Sequence, residues 1–331
     1  MKQTLLGLLL SGQDYLSGEE LGARLGISRA AVWKQIQALK ERGIQVEAVQ
    51  NRGYRLLPGQ DILVEEIWFC RRKTNVLGSQ MRILPQVDST NHVLRLWAEE
   101  GAAEGAVVVA EQQTAGRGRR GRTWVSEAGK GLYFSVLFRP DFPPTQAAAL
   151  TLCCGLAVAK ALRRMGIDAL VKWPNDVLVK EKKICGILTE MRAEMEAIQY
   201  VIAGIGMNVG QETFPEAVVD TATSIFLEKG VSVCRMDVLE QVLEMLESVY
   251  TQYQKGGLAA IREEYLSLSA TIGQDIWVLG KEPFAARALD LGPEGELVVE
   301  KEDGSCMMVV SQEVSIRRRP SGKESAGSSQ F

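Results

Sequence analysis

Residues 116–122 read Gly116-Arg117-Gly118-Arg119-Arg120-Gly121-Arg122, and they follow the apolar run Val107-Val108-Val109. A strand leading into G-x-G-x-x-G opens a dinucleotide-binding unit only when a helix follows and turns its N-terminus toward a pyrophosphate. Here residues 123–138 pass through a glycine-containing loop into a second apolar strand over residues 131–138, with no sign of that helix. The doubly wound reading is therefore set aside. Four arginines within six residues repel one another and lack apolar anchors, so the free loop is expected to be mobile and to order on an anion. Glycines let backbone approach closely, and guanidinium forks match carboxylate and phosphate oxygens, so the loop should close on a ligand that carries both. Taken alone, the segment also reads as a solvated basic loop for nucleic acid.

Three further segments accompany it. Lys172-Trp173-Pro174-Asn175-Asp176 forms a tight turn between two apolar strands, where Pro fixes the backbone and Asn and Asp present polar groups. Lys183 precedes the apolar strand Ile184-Cys185-Gly186-Ile187-Leu188, where its ammonium could meet an α-phosphate and a carboxylate together, or could be a strand-edge lysine. Gly204-Ile205-Gly206-Met207-Asn208 ends another strand with glycines that would admit a flat base, though structural glycines look the same. Upstream, Asp88-Ser89-Thr90-Asn91 opens a helix, and its hydroxyls either cap that helix or face a neutral polar ligand.

Toward the N-terminus, the leucines near residues 5–10 form a first helix. Ser17 with Glu20 is a capping box for a second that ends near Gly26. Ser28 caps a third, with Val32, Ile36 and Leu39 on one buried face and Arg29, Lys34 and Gln37 outward; Gly43 ends it. Strands over residues 44–49 and 54–57 flank Gln50-Asn51-Arg52-Gly53, a hairpin signal. This order describes a winged helix-turn-helix whose third helix enters the major groove, with Ser28, Arg29, Lys34 and Arg52 as the DNA contacts. A protein-binding helical module is the bland alternative. The 331-residue chain has a net charge of −3, yet residues 1–57 carry 8 Lys/Arg against 5 Asp/Glu, a basic head on an acidic body.

Beyond Pro58-Gly59, helix and strand mix up to about residue 269. A buried helix is expected over residues 147–159, too short to cross a bilayer, with further helices over 236–255 and 261–268. After Thr271, short strands between Gly273, Gly280, Gly292, Gly295 and Gly304 suggest a small β-barrel. Residues 320–331 read as a loose tail. One histidine, His92, excludes a histidine-rich metal site and a hydrolase triad. Six cysteines without C-x-x-C spacing point to a reduced, cytoplasmic setting, and the apolar N-terminus lacks a clear signal-peptide cleavage pattern.

These motifs, in this order and at these separations, closely resemble the biotin-protein ligases of the bifunctional, biotin-operon-repressor type. The resemblance spans nearly the whole chain. It implies an α+β architecture: a winged helix-turn-helix (1–60), a mixed α/β catalytic domain with an antiparallel sheet (61–269), an SH3-like barrel (270–319) and a tail (320–331). It also implies an ATP-dependent biotin-[acetyl-CoA-carboxylase] ligase that forms biotinyl-AMP and transfers biotin to a lysine of a biotin carboxyl carrier domain. In this reading Ser89, Thr90, Asn91, Gln113, Arg117, Gly118, Arg119 and Lys183 bind biotin. Arg122, Trp124, Asn175, Asp176 and Asn208 serve the nucleotide, Asp176 with Mg²⁺, and Lys183, Arg119 and Arg122 are the catalytic cations. A homodimer on operator DNA, with no membrane association, completes the expectation. A biotin-responsive repressor without ligase chemistry and a lipoate-type ligase stay open as alternatives.

Overall fold

A computed structural model describes residues 4–12, 14–194, 197–311 and 314–319; the expected tail at 320–331 lies outside them. Helices α1 (Leu5–Ser11), α2 (Gly18–Leu25) and α3 (Arg29–Glu41) precede the hairpin β1 (Val46–Val49) and β2 (Gly53–Leu56). Both serine caps form as the local rules require: Ser17 Oγ accepts from Glu20 N at 3.0 Å and Ser28 Oγ from Ala31 N at 3.2 Å. Val32, Ile36 and Leu39 turn inward onto Leu5, Leu6, Leu8 and Leu9, all buried. Asn51 takes φ 64° at the hairpin turn, a conformation that asparagine tolerates better than most residues.

The body follows as α4 (Glu65–Arg71), β3 (Met81–Leu84), α5 (Thr90–Glu99), β4 (Val107–Ala110), β5 (Gly131–Phe138) and α6 (Ala147–Arg164). Next come β6 (Ala169–Lys172), β7 (Asp176–Val179), β8 (Lys182–Glu194), β9 (Ala197–Asn208), α7 (Ile225–Lys229), α8 (Arg235–Gly256) and α9 (Ala259–Ser267). A seven-stranded sheet runs β3-β4-β5-β9-β8-β7-β6, parallel only between β3 and β4. Period-two alternation splits its faces: Val107 and Val109 join the core under α6 and α8, while Val108 packs with Leu94, Leu137 and Ile202 beneath α5. β5 is buried along its whole length.

Helix α6 extends five residues past the expected end. Ala161 and Leu162 keep its stripe buried, while Arg163 and Arg164 reach out to Asp168 and Glu244. Including the preceding turn it is long and apolar enough to cross a membrane, but 72% of its apolar window is buried against the sheet and α8. α4, β3 and α7, each seven residues or fewer, are too short to stand out in the sequence pattern.

The C-terminal strands β10 (Asp275–Leu279), β11 (Phe284–Leu291), β12 (Leu297–Lys301), β13 (Cys306–Val309) and β14 (Ser315–Arg318) form one antiparallel sheet, ordered β13-β12-β11-β10-β14. It holds the 172–176 turn directly. Trp173 Nε1 donates to Gly295 O at 2.9 Å, and Trp173 N donates to Thr271 Oγ1 at 3.0 Å.

Arg235, at the start of α8, has only 4% of its side chain exposed. Its guanidinium donates to Asp61 at 2.5 Å, in the segment joining the head to the body, and to Glu111 at 2.6 Å, where β4 runs into the arginine loop. Burial works against the charge, but Glu111 and Asp61 more than offset it, and the guanidinium sits above its ordinary range. Removing one partner of a buried ion group leaves the others uncompensated. Arg235→Met is expected to cost about 3 kcal/mol, read as a lowered urea midpoint by tryptophan fluorescence; an unchanged midpoint would show that the network is dispensable.

Candidate functional site

Strands β8 and β9 lie side by side with Gly186 opposite Gly206 and Leu188 opposite Gly204. These glycines form the floor of a cavity because neighbouring side chains occupy the space a Cβ would need. On Gly206 a Cβ would come within 2.6 Å of the Trp124 indole, on Gly186 within 2.9 Å of the same ring, and on Gly204 within 2.3 Å of Asn91 Oδ1. The flat group seated on Gly206 is therefore Trp124 itself. Its Nε1 is buried and makes no hydrogen bond among the described residues.

One wall is a neutral polar network. Gln113 Oε1 accepts from Thr90 N at 2.9 Å, and Gln113 Nε2 donates to Ser126 Oγ at 3.0 Å. Ser135 Oγ lies 2.7 Å from both Thr90 Oγ1 and Asn91 Oδ1, and Asn91 Nδ2 donates to Leu188 O at 3.3 Å. Ser89 stands at the N-cap of α5 but makes no capping hydrogen bond, so its hydroxyl faces the cavity rather than the helix. Ser126 and Ser135 were missed in the sequence; the available signal for Ser135 was one serine in the otherwise apolar and aromatic strand Gly131–Phe138.

The opposite wall is cationic. The arginine loop closes into a small hairpin: Gly118 N donates to Arg122 O at 2.7 Å and Trp124 N to Gly116 O at 2.9 Å. Arg120 and Gly121 take positive φ at its tip. The arginines fan apart instead of crowding. Arg119 donates to Asn175 Oδ1 at 3.0 Å, to Ser311 O and to Val314 O, while Arg120 reaches Leu279 O at 3.4 Å. The loop expected to be mobile is thus pinned onto the C-terminal sheet, and Arg119 lines the cavity with its guanidinium turned to Asn175 and those carbonyls.

Lys183 reaches the cavity through a bulge. Val177 pairs with Cys185 and Leu178 with Lys183, so Ile184 is the extra residue. The bulge breaks the alternation: Ile184 and Cys185 are both buried, and Lys183 turns out beside Asp176, Nζ to Oδ1 2.6 Å. The same ammonium lies 5.3 Å from the centre of the Trp124 ring. Next to this pair, the Lys172 ammonium is held below its ordinary range by burial; Lys183, Arg317 and Arg122 push the same way and Asp176 opposes them. Several cations thus converge on a single carboxylate, an arrangement suited to an anion.

The remaining predicted residues divide. Ser89, Thr90, Asn91, Gln113, Arg117, Gly118, Arg119, Trp124, Asn175 and Lys183 line one cavity. Arg122 and Asp176 stand behind it, beside Lys172 and Lys183. Asn208 pins the end of β9, its Nδ2 donating to Thr223 O at 3.0 Å and Lys183 O at 3.5 Å. In the head, Ser28 Oγ is occupied as a cap and Arg29 and Lys34 are exposed. Arg52 stacks on Tyr15 at 4.2 Å and pairs with Asp14 at 3.4 Å. Among the described residues no group of three or more His, Cys, Asp or Glu could hold a metal ion.

Residues 83–208 match the biotin/lipoate A/B protein ligase family and residues 2–55 match a helix-turn-helix domain. The chain is 37% identical to the bifunctional ligase/repressor BirA of Bacillus spizizenii over 298 residues, 89% of this chain and 92% of that protein. It is 32% identical to the Escherichia coli protein of the same name, covering 95% of this chain and 96% of that one. Among solved structures, the biotin protein ligase of Aquifex aeolicus in complex with biotin and ATP superposes with a TM-score of 0.64 at 32% identity, over 73% of this chain and 100% of that one.

Two glycines set up opposite outcomes. Gly206→Ala drives a methyl into the Trp124 ring and is expected to destabilise by about 1–3 kcal/mol. Gly155→Ala, in mid-α6, places its methyl 3.7 Å from Ile187, an ordinary contact, and is expected to stabilise by about 0.5–1 kcal/mol. Thermal unfolding of the pair checks this; shifts of the same sign would contradict it.

Proposed function

The chain belongs to the biotin/lipoate A/B protein ligase family, and we propose that it is a bifunctional enzyme and repressor that activates biotin with ATP, biotinylates a carrier protein and controls transcription. The observation that carries this reading is one cavity with a neutral hydrogen-bonding wall at one end and convergent cations at the other. Ser89, Thr90, Asn91 and Gln113 suit the donors and acceptors of the ureido ring. A lipoate-type dithiolane carries no hydrogen-bonding group on its ring and would gain nothing from this polar wall. Biotin is therefore the favoured acid.

In the first step a biotin carboxylate oxygen attacks the α-phosphorus of ATP, the bond from that phosphorus to the β-phosphate bridging oxygen breaks, and pyrophosphate leaves. Biotinyl-AMP, a mixed anhydride, remains. Two anions that repel in water must be aligned, and fixed positive charge must stand where negative charge accumulates. Lys183 bridges the carboxylate and the α-phosphate, exchanging its resting partner Asp176 for substrate oxyanions. Arg117, Gly118 and Arg119 cover the acid, and Arg122 serves the phosphates. Trp124, with an unsatisfied indole N–H, faces the nucleotide, while Asn175 and Asn208 hold the strands that border it.

With a single carboxylate beside the cations, the site fits an Mg²⁺ that arrives on the triphosphate better than a resident ion; Asp176 is the residue that would hold it. Such an ion neutralises phosphate charge. In the second step the neutral amine of an acceptor lysine, on a biotin carboxyl carrier domain of acetyl-CoA carboxylase, attacks the acyl carbon. The amine loses a proton and AMP departs. The closed loop keeps water from the anhydride. The six unpaired cysteines support a cytoplasmic setting.

The head supplies the second activity. Biotinyl-AMP, by filling the cavity that the arginine loop covers, favours a homodimer that presents two heads to a palindromic operator. A repressor without chemistry would not need Arg117, Arg119 and Lys183 lining the cavity with Lys172 and Arg122 behind them.

Lys183→Ala is expected still to bind biotin in calorimetry, more weakly for the lost carboxylate partner, while pyrophosphate exchange falls by at least ~100-fold; near-normal exchange would refute the bridging role. Biotin with ATP should tighten operator binding of the full chain, measured by fluorescence anisotropy, and an affinity indifferent to both would remove the proposed switch.

A further inference from the structure

Helix α3 presents one large apolar side chain to solvent. Trp33 is 55% exposed, the most exposed large hydrophobic of the head among the described residues. Its helical neighbours at three and four residues are Arg29, Ala30, Ile36 and Gln37, with Lys34 adjacent; Arg29, Ala30 and Lys34 are exposed, Gln37 is half-buried and Ile36 is buried. The buried face of Val32, Ile36 and Leu39 flanks Trp33 on one side only, and with more than half of the residue exposed, core packing does not account for the indole. No acidic residue occurs between positions 21 and 40, while Arg24, Arg29, Lys34 and Lys40 do, which marks the partner of this surface as an anion. Arg29 packs beside Gly18 together with Tyr54 of β2, so the start of α3 and the hairpin share one surface.

From this juxtaposition we propose that Trp33 is a specificity-determining DNA contact, reading the C5-methyl group of a thymine in the major groove; this rests on the repressor reading above. An indole has a single donor and no acceptor, so it cannot make the bidentate contacts by which Arg, Asn or Gln read purines. Its remaining recognition element is apolar surface, and the apolar group on the major-groove floor is the thymine methyl. Arg29 and Lys34 contribute phosphate attraction that does not depend on sequence. Ala30, one turn before Trp33, is small enough to let the helix approach the bases closely.

The test selects duplexes from a random 40-base-pair pool with the full chain in biotin and ATP, and repeats the selection with Trp33→Ala and Trp33→Phe. The wild type is expected to enrich a palindrome with a thymine at one position per half-site. Trp33→Ala should keep the half-site spacing and lose that thymine, and Trp33→Phe should retain part of the preference. Deoxyuridine at that position should weaken wild-type binding about tenfold and leave Trp33→Ala unaffected, with the same salt dependence for both. Equal base preferences in wild type and Trp33→Ala would overturn the proposal, and a drop in affinity without a change of preference would do the same by assigning Trp33 to a contact between protein molecules. If the wild type itself enriches nothing, the repressor reading fails and this one with it; enrichment by the wild type separates the two failures.

Discussion

One buried guanidinium ties together parts of the chain that share no strand or helix. Arg235 meets the joining segment at Asp61, the end of β4 at Glu111 and the carbonyl of Gly131 where β5 begins. Those two strand ends are the two ends of the arginine loop. A charge removed from water holds its place only while each partner keeps its own, so this interaction behaves as a single constraint rather than as separate bonds. The loop begins and ends at fixed points, and the head is joined to a segment held by the same residue.

Within that frame, absence of side chains builds the cavity as much as their presence. Gly186, Gly204 and Gly206 yield their Cβ space to Trp124 and Asn91, and the polar wall then depends on Asn91 being held by Ser135 and Leu188. The bulge at Ile184 adds the last element by turning Lys183 out of a strand whose next residues are core. Floor, wall and ammonium belong to the same pair of strands, so their relative positions are set by sheet register.

What the sequence made legible was local. Serine caps at Ser17 and Ser28, the buried stripe of α3, the turn at 172–176 and the clustering of glycine with arginine all follow from spacings of a few residues. What it hid was long-range. Nothing near Arg119 announces the carbonyls of Ser311 and Val314, about 190 residues later, and repulsion among the arginines argued for a mobile loop because those acceptors could not be seen. Arg235 and its carboxylates are likewise more than 100 residues apart. β3 escaped because four residues with one exposed arginine carry too little alternation to register, yet its parallel pairing with β4 makes the sheet mixed. Ser135 was invisible for the opposite reason: a single serine in an apolar run looks like tolerance rather than purpose.

The C-terminal sheet receives both the Trp173 indole and the arginine loop, and this sets an order of events during synthesis. The helices and hairpin of the head lie within the first 57 residues or so, which leave the ribosome first. The cavity lacks its backing until β14 emerges, on the order of tens of seconds later at ordinary elongation rates. A growing chain therefore passes through an interval in which its helix-turn-helix is complete but its ligand cavity is not.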